Sequence, residues 1–482
     1  MRNDQIFTPK PIVEKMLDMV GYAGENIRTK TIFEPSFGDG AFLTSIVQRA
    51  INFYKENNLT EREFIEILDR IYGVEIDKKY FDKTIDKLDE MLAYEGFVGY
   101  DWSNLHNSDA LDFKPDIEFD MAVINPPYIR VQDLDLENRK KVSANYKYWR
   151  GNSDMYVVFF EMCMKKMAVD GKMCFITPNS YFKNSSQKEF REYLIANNLV
   201  EEIIDFGTFK VFDKISTYAA ITLFNMNKEK SSTLYTSMKD INTPDYTVSV
   251  ELSKFGSAPW TVTNSNDADF LKEIEGRDTS LGELCSVQFG IATNADSVYI
   301  IEPDDTKKFE ADILRPVVKA STLCTTNYIV FPYRWDNGRY VPIPKHEIER
   351  LYPKATHYFE SNKNILLNRS MERSECLYYE YGRTQGIQNS RNKKIALKNI
   401  LAPGGNTCEF LELDANTLVY SGLYIVANNE DHYKTIIETL RSEDFHRYLM
   451  LIGKDMSGGY KSFNAKAVKQ YRINMRREEE NA

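Results

Sequence analysis

Along the first half of the chain, short apolar runs that suit strands alternate with stretches whose apolar residues recur at helical spacing. Thr31-Ile32-Phe33, Ile71 to Glu75, Met121 to Ile124, Met173 to Thr177, Ile203 to Phe206 and Ala219 to Phe224 read as strands, the last closing the series. Ala41 to Tyr54, Met155 to Met167 and Gln187 to Asn197 read as helices. Alternation of this kind folds into a mainly parallel sheet with helices on its faces. Ligands of such sheets bind where the strands end. The first half is therefore expected to be an α/β domain with its chemistry at strand ends.

The pattern changes after about Asn225. Short strand-like pieces (Thr233 to Ser237, Tyr246 to Leu252, Val298 to Ile301) mix with polar, turn-rich stretches. A chain of 482 residues exceeds what one core usually serves. Two domains are expected, an α/β domain over 1–262 and a mixed α+β domain over 263–482. The charged tail from Arg476 to Ala482 is expected to be disordered. No apolar run reaches the roughly 18 residues that span a bilayer. Met1 to Lys10 is polar and lacks the apolar core of a secretion signal, so a cytoplasmic protein is expected. Cys163, Cys174, Cys285, Cys324, Cys376 and Cys408 form no CxxC pair and the histidines do not cluster with them. Reduced thiols and no metal site are the expectation. The net charge of −10 does not advertise a nucleic-acid partner. Were DNA the partner, positive charge would have to gather on one face.

Three segments fall at strand ends. Phe33-Glu34-Pro35-Ser36-Phe37-Gly38-Asp39-Gly40 leaves the first strand and enters a helix. Glycines there let the backbone turn tightly and approach a ligand. Glu75, followed by Ile76 and Asp77, ends the next strand, where a carboxylate can accept from both hydroxyls of a ribose. Ser108-Asp109-Ala110 precedes another strand, and Asp109 could accept the exocyclic amine of an adenine. Each alone is also a common structural feature; their order favours a nucleoside ligand. No GxxxxGK[ST] is present, which disfavours a nucleoside triphosphate and suits an adenosyl cofactor.

The strand Met121 to Ile124 runs straight into Asn125-Pro126-Pro127-Tyr128. Two prolines fix their own φ and restrict the residue before them, giving a rigid, extended turn. The amide oxygen of Asn125 and the carbonyl of Pro126 can both accept from one amino group. An aromatic amine is a poor nucleophile because its lone pair is delocalised. Two acceptors on its two hydrogens favour the pyramidal, nucleophilic geometry, which is stabilisation of the transition state. Tyr128 can stack on the face of the base.

With this tetrapeptide the chain resembles the TaqI-like (gamma-order) N6-adenine DNA methyltransferases of restriction–modification type. The resemblance is strong to about Phe224 and looser beyond it. It implies a Rossmann-like S-adenosylmethionine-dependent methyltransferase domain followed by a C-terminal α+β target-recognition domain. Phe7-Thr8-Pro9 resembles the N-terminal segment that contacts the methionine end of S-adenosylmethionine. Glu34-Pro35 with Gly38 and Gly40 resembles the cofactor loop, and Glu75 with Ile76 the ribose-binding acid and its neighbour. Asp109 with Ala110 matches the segment reading the adenine amine, and Asn125 to Tyr128 the catalytic motif, whose Asn125 also borders the cofactor. Ser153-Asp154-Met155-Tyr156 resembles the family's helix-opening D-L-Y. Val211-Phe212 resembles the segment whose aromatic sandwiches the flipped adenine, with Tyr218 as rival.

Methylating an exocyclic amine in a duplex requires the base to leave the stack, at a cost of roughly a few kcal/mol. The second half is large enough to supply that energy and the choice of sequence. Gly290 to Asp296, Leu314-Arg315-Pro316 and Tyr381-Gly382-Arg383-Thr384-Gln385 resemble the recognition domain of the family. Arg391, Lys393 and Lys394 form a basic run. Gly458 to Asn464, including Lys461, continues into Lys466, Lys469, Arg472, Arg476 and Arg477. Basic residues among Tyr, Asn and Gln suit phosphate contacts and base-edge reading, so Arg383, Gln385, Arg391, Lys393, Lys394 and Lys461 are the expected contacts to double-stranded DNA. The start of the chain lies close to the first methylase motif. A stand-alone modification enzyme is therefore expected, any cognate restriction endonuclease being a separate chain. The oligomeric state stays open. The same tetrapeptide also serves methylases of cytosine N4, of guanine N2 in RNA and of protein glutamine. Cytosine-N4 enzymes generally carry Ser or Asp in place of Asn125; the other two usually open their glycine loop with Asp and lack a long second half.

Overall fold

The apolar run Phe119–Ile124 is buried almost end to end, which requires cover on both faces. Met121 and Val123 pack into one apolar cluster, and Ala122 and Ile124 into another. These clusters are the two faces of one sheet. The structure is a computed structural model that describes residues 7–151, 153–212, 218–227, 229, 231–256, 259–372, 376–383, 385–456 and 459–475. The chain divides into two compact units, 1–264 and 265–482.

The first unit contains β1 (Ile32–Glu34), β2 (Ile71–Glu75), β3 (Leu105–Asn107), β4 (Phe119–Ile124), β5 (Met167–Pro178), β6 (Val200–Asp205), β7 (Ala219–Asn225), β8 (Ser232–Met238) and β9 (Pro244–Glu251). Its helices are α1 (Lys10–Val20), α2 (Glu25–Thr29), α3 (Ala41–Glu56), α4 (Glu61–Leu68), α5 (Lys78–Tyr94), α6 (Leu136–Asn145), α7 (Met155–Met164) and α8 (Lys188–Ala196). The strands lie in the order β3-β2-β1-β4-β5-β7-β6-β8-β9. β3, β2, β1, β4 and β5 run parallel, and β7 is inserted antiparallel between β5 and β6. The order reverses at β1, which has β2 on one side and β4 on the other. The crevice outside the carboxyl ends of β1 and β4 is therefore the switch point at which such sheets take ligands.

The expected α/β fold is present, with local differences. β3 has three residues, too few for its pattern to show in the sequence. β8 and β9 add to the same sheet, which does not end at Phe224. The helix expected to reach Met167 stops at Met164, because the chain is drawn into the sheet: Phe119 N donates to Lys166 O at 2.8 Å. α1 presents Ile12, Val13, Met16, Leu17 and Val20 on one buried stripe and ends at Gly21, whose φ of 82° a side chain would resist.

The second unit is mixed α+β. Cys285–Phe289, Leu423–Ala427, Lys394–Leu397 and Phe410–Leu413 form one sheet in that order, all antiparallel. Ile300–Ile301, Cys324–Val330, Leu314–Lys319 and Leu418–Tyr420 form another. The expected strand Val298 to Ile301 is half helix: a turn of helix covers Asp296–Tyr299, started by the Val298 N–H bond to Ala295 O, and only Ile300–Ile301 pair. Of the segments named above, Thr384, Gly458, Arg476, Arg477 and the rest of the charged tail lie outside the described residues. Among the described residues no helix is long and apolar enough to cross a membrane.

Candidate active site

The glycine turn after β1 is fastened at every corner. Phe37 N donates to Val74 O at 3.2 Å, Gly38 N to Glu75 Oε2 at 2.8 Å, and Thr84 Oγ1 to Gly38 O at 3.1 Å. Gly40 has φ 80°, and a Cβ there would lie 2.6 Å from Thr84 Cγ2, so both conformation and space demand glycine.

Two carboxylates are buried beside this turn. Glu75 is 4% exposed and accepts from Gly38 N and, on Oε1, from Asp77 N at 2.8 Å. Those two bonds use half of the roughly four acceptor sites of a carboxylate. Burial raises its pKa, against the backbone donors of Asp77, Gly38 and Ile76. Glu34 is 2% exposed, and its Oε2 has no hydrogen-bond partner among the described residues. Burial, then the charges of Asp39 and Glu75, push its pKa well above the usual carboxylate range. A buried acceptor without a donor is costly unless a ligand supplies one. Next to Glu75, Ile76 leaves 70% of its surface bare. Hydroxyl and ammonium donors with a flat apolar ring would satisfy this set, as an adenosyl amino acid offers.

Asp109 stands just past β3. Its Oδ1 accepts from Leu111 N at 2.9 Å and its Oδ2 from Lys141 Nζ at 2.8 Å. Lys141 comes from α6 and also reaches Asp112 at 2.7 Å. Ala110 is turned into the core with Phe33 and Val74. Pro35 is buried within the turn.

The tetrapeptide follows β4. Asn125 Nδ2 donates to Thr8 Oγ1 at 3.0 Å, and the backbone carbonyl of Asn125 accepts from Ser36 Oγ at 3.2 Å. Thr8 is buried, while Phe7 is 42% exposed and tilts against Tyr80 of α5 at 6.0 Å. The N-terminal segment thus touches both the helix after Glu75 and the tetrapeptide. Tyr128 donates to Ile176 O at 3.2 Å and meets Phe212 edge-on at 6.2 Å. Phe212 is 3% exposed; Tyr218, also buried, sits beyond the undescribed residues 213–217. Met155 and Tyr156 open α7 as expected, with Asp154 at the cap position. Ser36 and Lys141 were not singled out in the sequence. Each acts on a partner far along the chain, and neither sits in a pattern of its own.

In the second unit, two segments singled out in the sequence meet. Gly382 N donates to Thr293 O at 2.9 Å, Arg383 N to Ala292 O at 3.1 Å, and Gln385 Nε2 to Gly290 O at 2.9 Å. A Cβ on Gly382 would lie 2.4 Å from Asn294 Nδ2. Arg383 and Arg391 are exposed, and Arg391 lies over the Trp335 ring at 4.6 Å. Lys393 lies over Tyr433 at 3.7 Å. Lys394 does not face solvent. It is 2% exposed and donates to Thr417 O at 2.8 Å and to Ser390 O and Asp414 O at 3.4 Å, because the strand that starts at Lys394 turns it inward. Lys461 is drawn to Asp455, and the Arg472 guanidinium to Arg277 O and Asp278 O at 2.6 and 2.7 Å. Lys394 is thus buried where a solvent-facing side chain was expected, while Lys461 and Arg472 are engaged by partners within the second unit.

The Eco57I restriction-modification methylase family matches residues 42–212, which include the turn's helix, Glu75, Asp109, the tetrapeptide and Phe212. The chain is 26% identical over 409 residues to the Type II methyltransferase M.BstVI of Geobacillus stearothermophilus, covering 76% of this chain and 72% of that one. It is 24% identical over 502 residues to the Type II methyltransferase M.PaeR7I of Pseudomonas aeruginosa, covering 97% and 85%. The Type IIL restriction-modification enzyme MmeI, solved in complex with DNA, shares the fold at a TM-score of 0.63 and 14% identity, across 95% of this chain. The chain spans 63% of that structure's length. With its reversed β7 and an intact Asn-Pro-Pro-Tyr after β4, the chain is similar to the Type II restriction–modification methyltransferases.

Proposed function

We propose that this chain transfers a methyl group from S-adenosylmethionine to N6 of an adenine flipped out of duplex DNA. Residues 1–262 would carry the catalysis and 263–482 the recognition of the target. The observation that carries the reading is the clamp on Asn125. The bond from Nδ2 to Thr8 and the bond from Ser36 to the backbone carbonyl fix how the Asn125 amide is turned, and Oδ1 is the acceptor atom of that amide. Oδ1 and the Pro126 carbonyl would take the two hydrogens of the target amine and favour its pyramidal form. Tyr128 would stack on the base; Phe212, which meets the Tyr128 ring edge-on at 6.2 Å, would have to turn away from it to cover the other face. Glu75 would accept from the ribose, Ile76 would cover the adenine ring, and Asp109 would accept its amine. Glu34 and Phe7 would border the methionine end, while the Thr8 hydroxyl is used on Asn125. Bound there, S-adenosylmethionine supplies the electrophilic methyl. No strong base is needed, since the proton leaves once the nitrogen is positively charged. Asn125, in place of Ser or Asp, favours adenine over cytosine. Several relatives are named as methyltransferases alone and RM.Eco57I of Escherichia coli as restriction enzyme and methyltransferase, so a separate cognate endonuclease fits this chain.

The test is to offer methyl-labelled S-adenosylmethionine with duplex DNA, RNA or protein to the full chain. Label in duplex DNA supports the reading; label only in RNA or protein overturns it.

The clamp predicts a division of effects at Thr8. Thr8→Val keeps the shape but removes the acceptor, so the Asn125 amide can turn. Methyl transfer at saturation should slow by about tenfold, the worth of one oriented hydrogen bond. Cofactor affinity should hardly change, and Thr8→Ser should restore the rate. A lost cofactor affinity with an unchanged rate would make Thr8 a cofactor contact instead.

A further inference from the structure

Within the second unit, Tyr333–Asp336 and Arg339–Pro342 form a hairpin that pairs with no other strand among the described residues. Its turn is Asn337-Gly338, with φ 46° and 77°, the left-handed pair that a tight two-residue hairpin requires. An isolated pair of strands is marginal in water and needs anchoring. Here the anchors are at the base. Tyr333 is buried in the core, and Arg315 donates to Tyr340 Oη at 3.1 Å. Gln388 clamps Tyr340 twice, accepting from its N–H at 2.8 Å and donating to its carbonyl at 3.1 Å. The rest of the hairpin, Arg334 to Arg339, is exposed.

That exposed part carries unusual chemistry. Trp335 is 44% exposed, with the Arg391 guanidinium on its ring and Tyr340 against its edge at 5.0 Å. Arg334 is paired with Glu347, and Asp336 shares the tip. Arg339 and Arg391 have no acidic partner within ion-pair reach among the described residues, in a chain of net charge −10. The Trp335 ring, 4.6 Å from the guanidinium carbon, restricts where Arg391 can go. The carbonyl before it, Ser390 O, accepts from Arg315 at 3.2 Å, so its backbone is held as well.

We infer that the tip of this hairpin, with Arg391 beside it, is a probe that enters a groove of duplex DNA. The inference rests on the proposed function and names the element that reads the target. A two-stranded ribbon fits the major groove, about 12 Å wide. An unpaired Arg fork suits a guanine edge, and Asn337 suits an adenine edge. Arg391 and Trp335 sit further back, where phosphates and sugars pass.

The experiment exposes a randomised duplex pool to the full chain and S-adenosylmethionine, then maps the methylated motif by sequencing. Arg339→Ala and Arg339→Lys are compared with wild type, and cofactor affinity is measured for each. Arg339→Ala should lower methylation of the wild-type motif by about five- to a hundredfold and relax one base pair. Arg339→Lys should keep the charge and still relax that pair, since lysine lacks the fork. Cofactor affinity should stay unchanged in both. An unaltered motif and rate in both variants would overturn the inference while leaving the proposed function intact. A wild-type chain that methylates no duplex overturns that function, and this inference with it.

Discussion

Replacing Asn125 with alanine is expected to slow methyl transfer by about a hundred- to a thousandfold, the usual cost of one acceptor or donor aimed at a transition state. DNA binding and cofactor affinity should remain near wild type. Asn125 follows β4 directly, and its neighbours Pro126 and Pro127 fix the turn without its side chain. The substitution also removes the partner of Thr8, so Thr8→Val in the Asn125→Ala background should add little. Measured together, the two single variants and the double variant form a cycle. A double variant as slow as the product of the two single effects would show that Thr8 does not act through Asn125.

The second large effect is on stability. Lys394→Ala should destabilise the second unit by about 3 kcal/mol, because it empties a buried site and leaves three carbonyls without their donor. Arg391→Ala, three residues earlier but exposed, should change stability by less than about 0.5 kcal/mol. Lys394 also gives a pH dependence. Burial, then the nearby charge of Arg315, pull its pKa down to about 8, with Asp414 opposing. In the unfolded chain a lysine titrates near about 10.4. Between these values the unfolded state binds more protons, so stability should rise from pH 8 to pH 10. Below pH 8 both states are protonated and this group adds no slope. Denaturant unfolding across that range, with Lys394→Met as control, measures it. A flat profile in wild type, or the same slope in the control, would contradict this placement.

These two residues also mark what the sequence discloses. The tetrapeptide and the glycine turn are legible because their backbone demands are local: prolines fix φ, and Gly40 adopts a conformation that other residues resist. Glu75 is legible because it ends a strand of five apolar-rich residues. Its use was less so. It was expected to await a ribose, and it also holds the turn through Gly38 N. Ser36 is 89 residues from the carbonyl it engages, and nothing near Ser36 announces that partner. Lys394 sits in a run of basic residues that looks solvated. Its burial is decided by the carbonyls of Asp414 and Thr417, which a distant turn brings to it. The hairpin at Trp335 shows an Asn-Gly turn in the sequence. Its anchoring is not legible there, because Arg391 and Gln388, which hold it, lie about fifty residues away.

The central claim is that Asn125 and Pro126 present two acceptors to an exocyclic amine of adenine. The most direct test digests duplex DNA, treated with the full chain and S-adenosylmethionine, to nucleosides and weighs them by mass spectrometry, with Asn125→Ala alongside. N6-methyladenine is expected with the wild-type chain and close to none with the variant. N4-methylcytosine in its place, or N6-methyladenine at equal levels from both proteins, would contradict it.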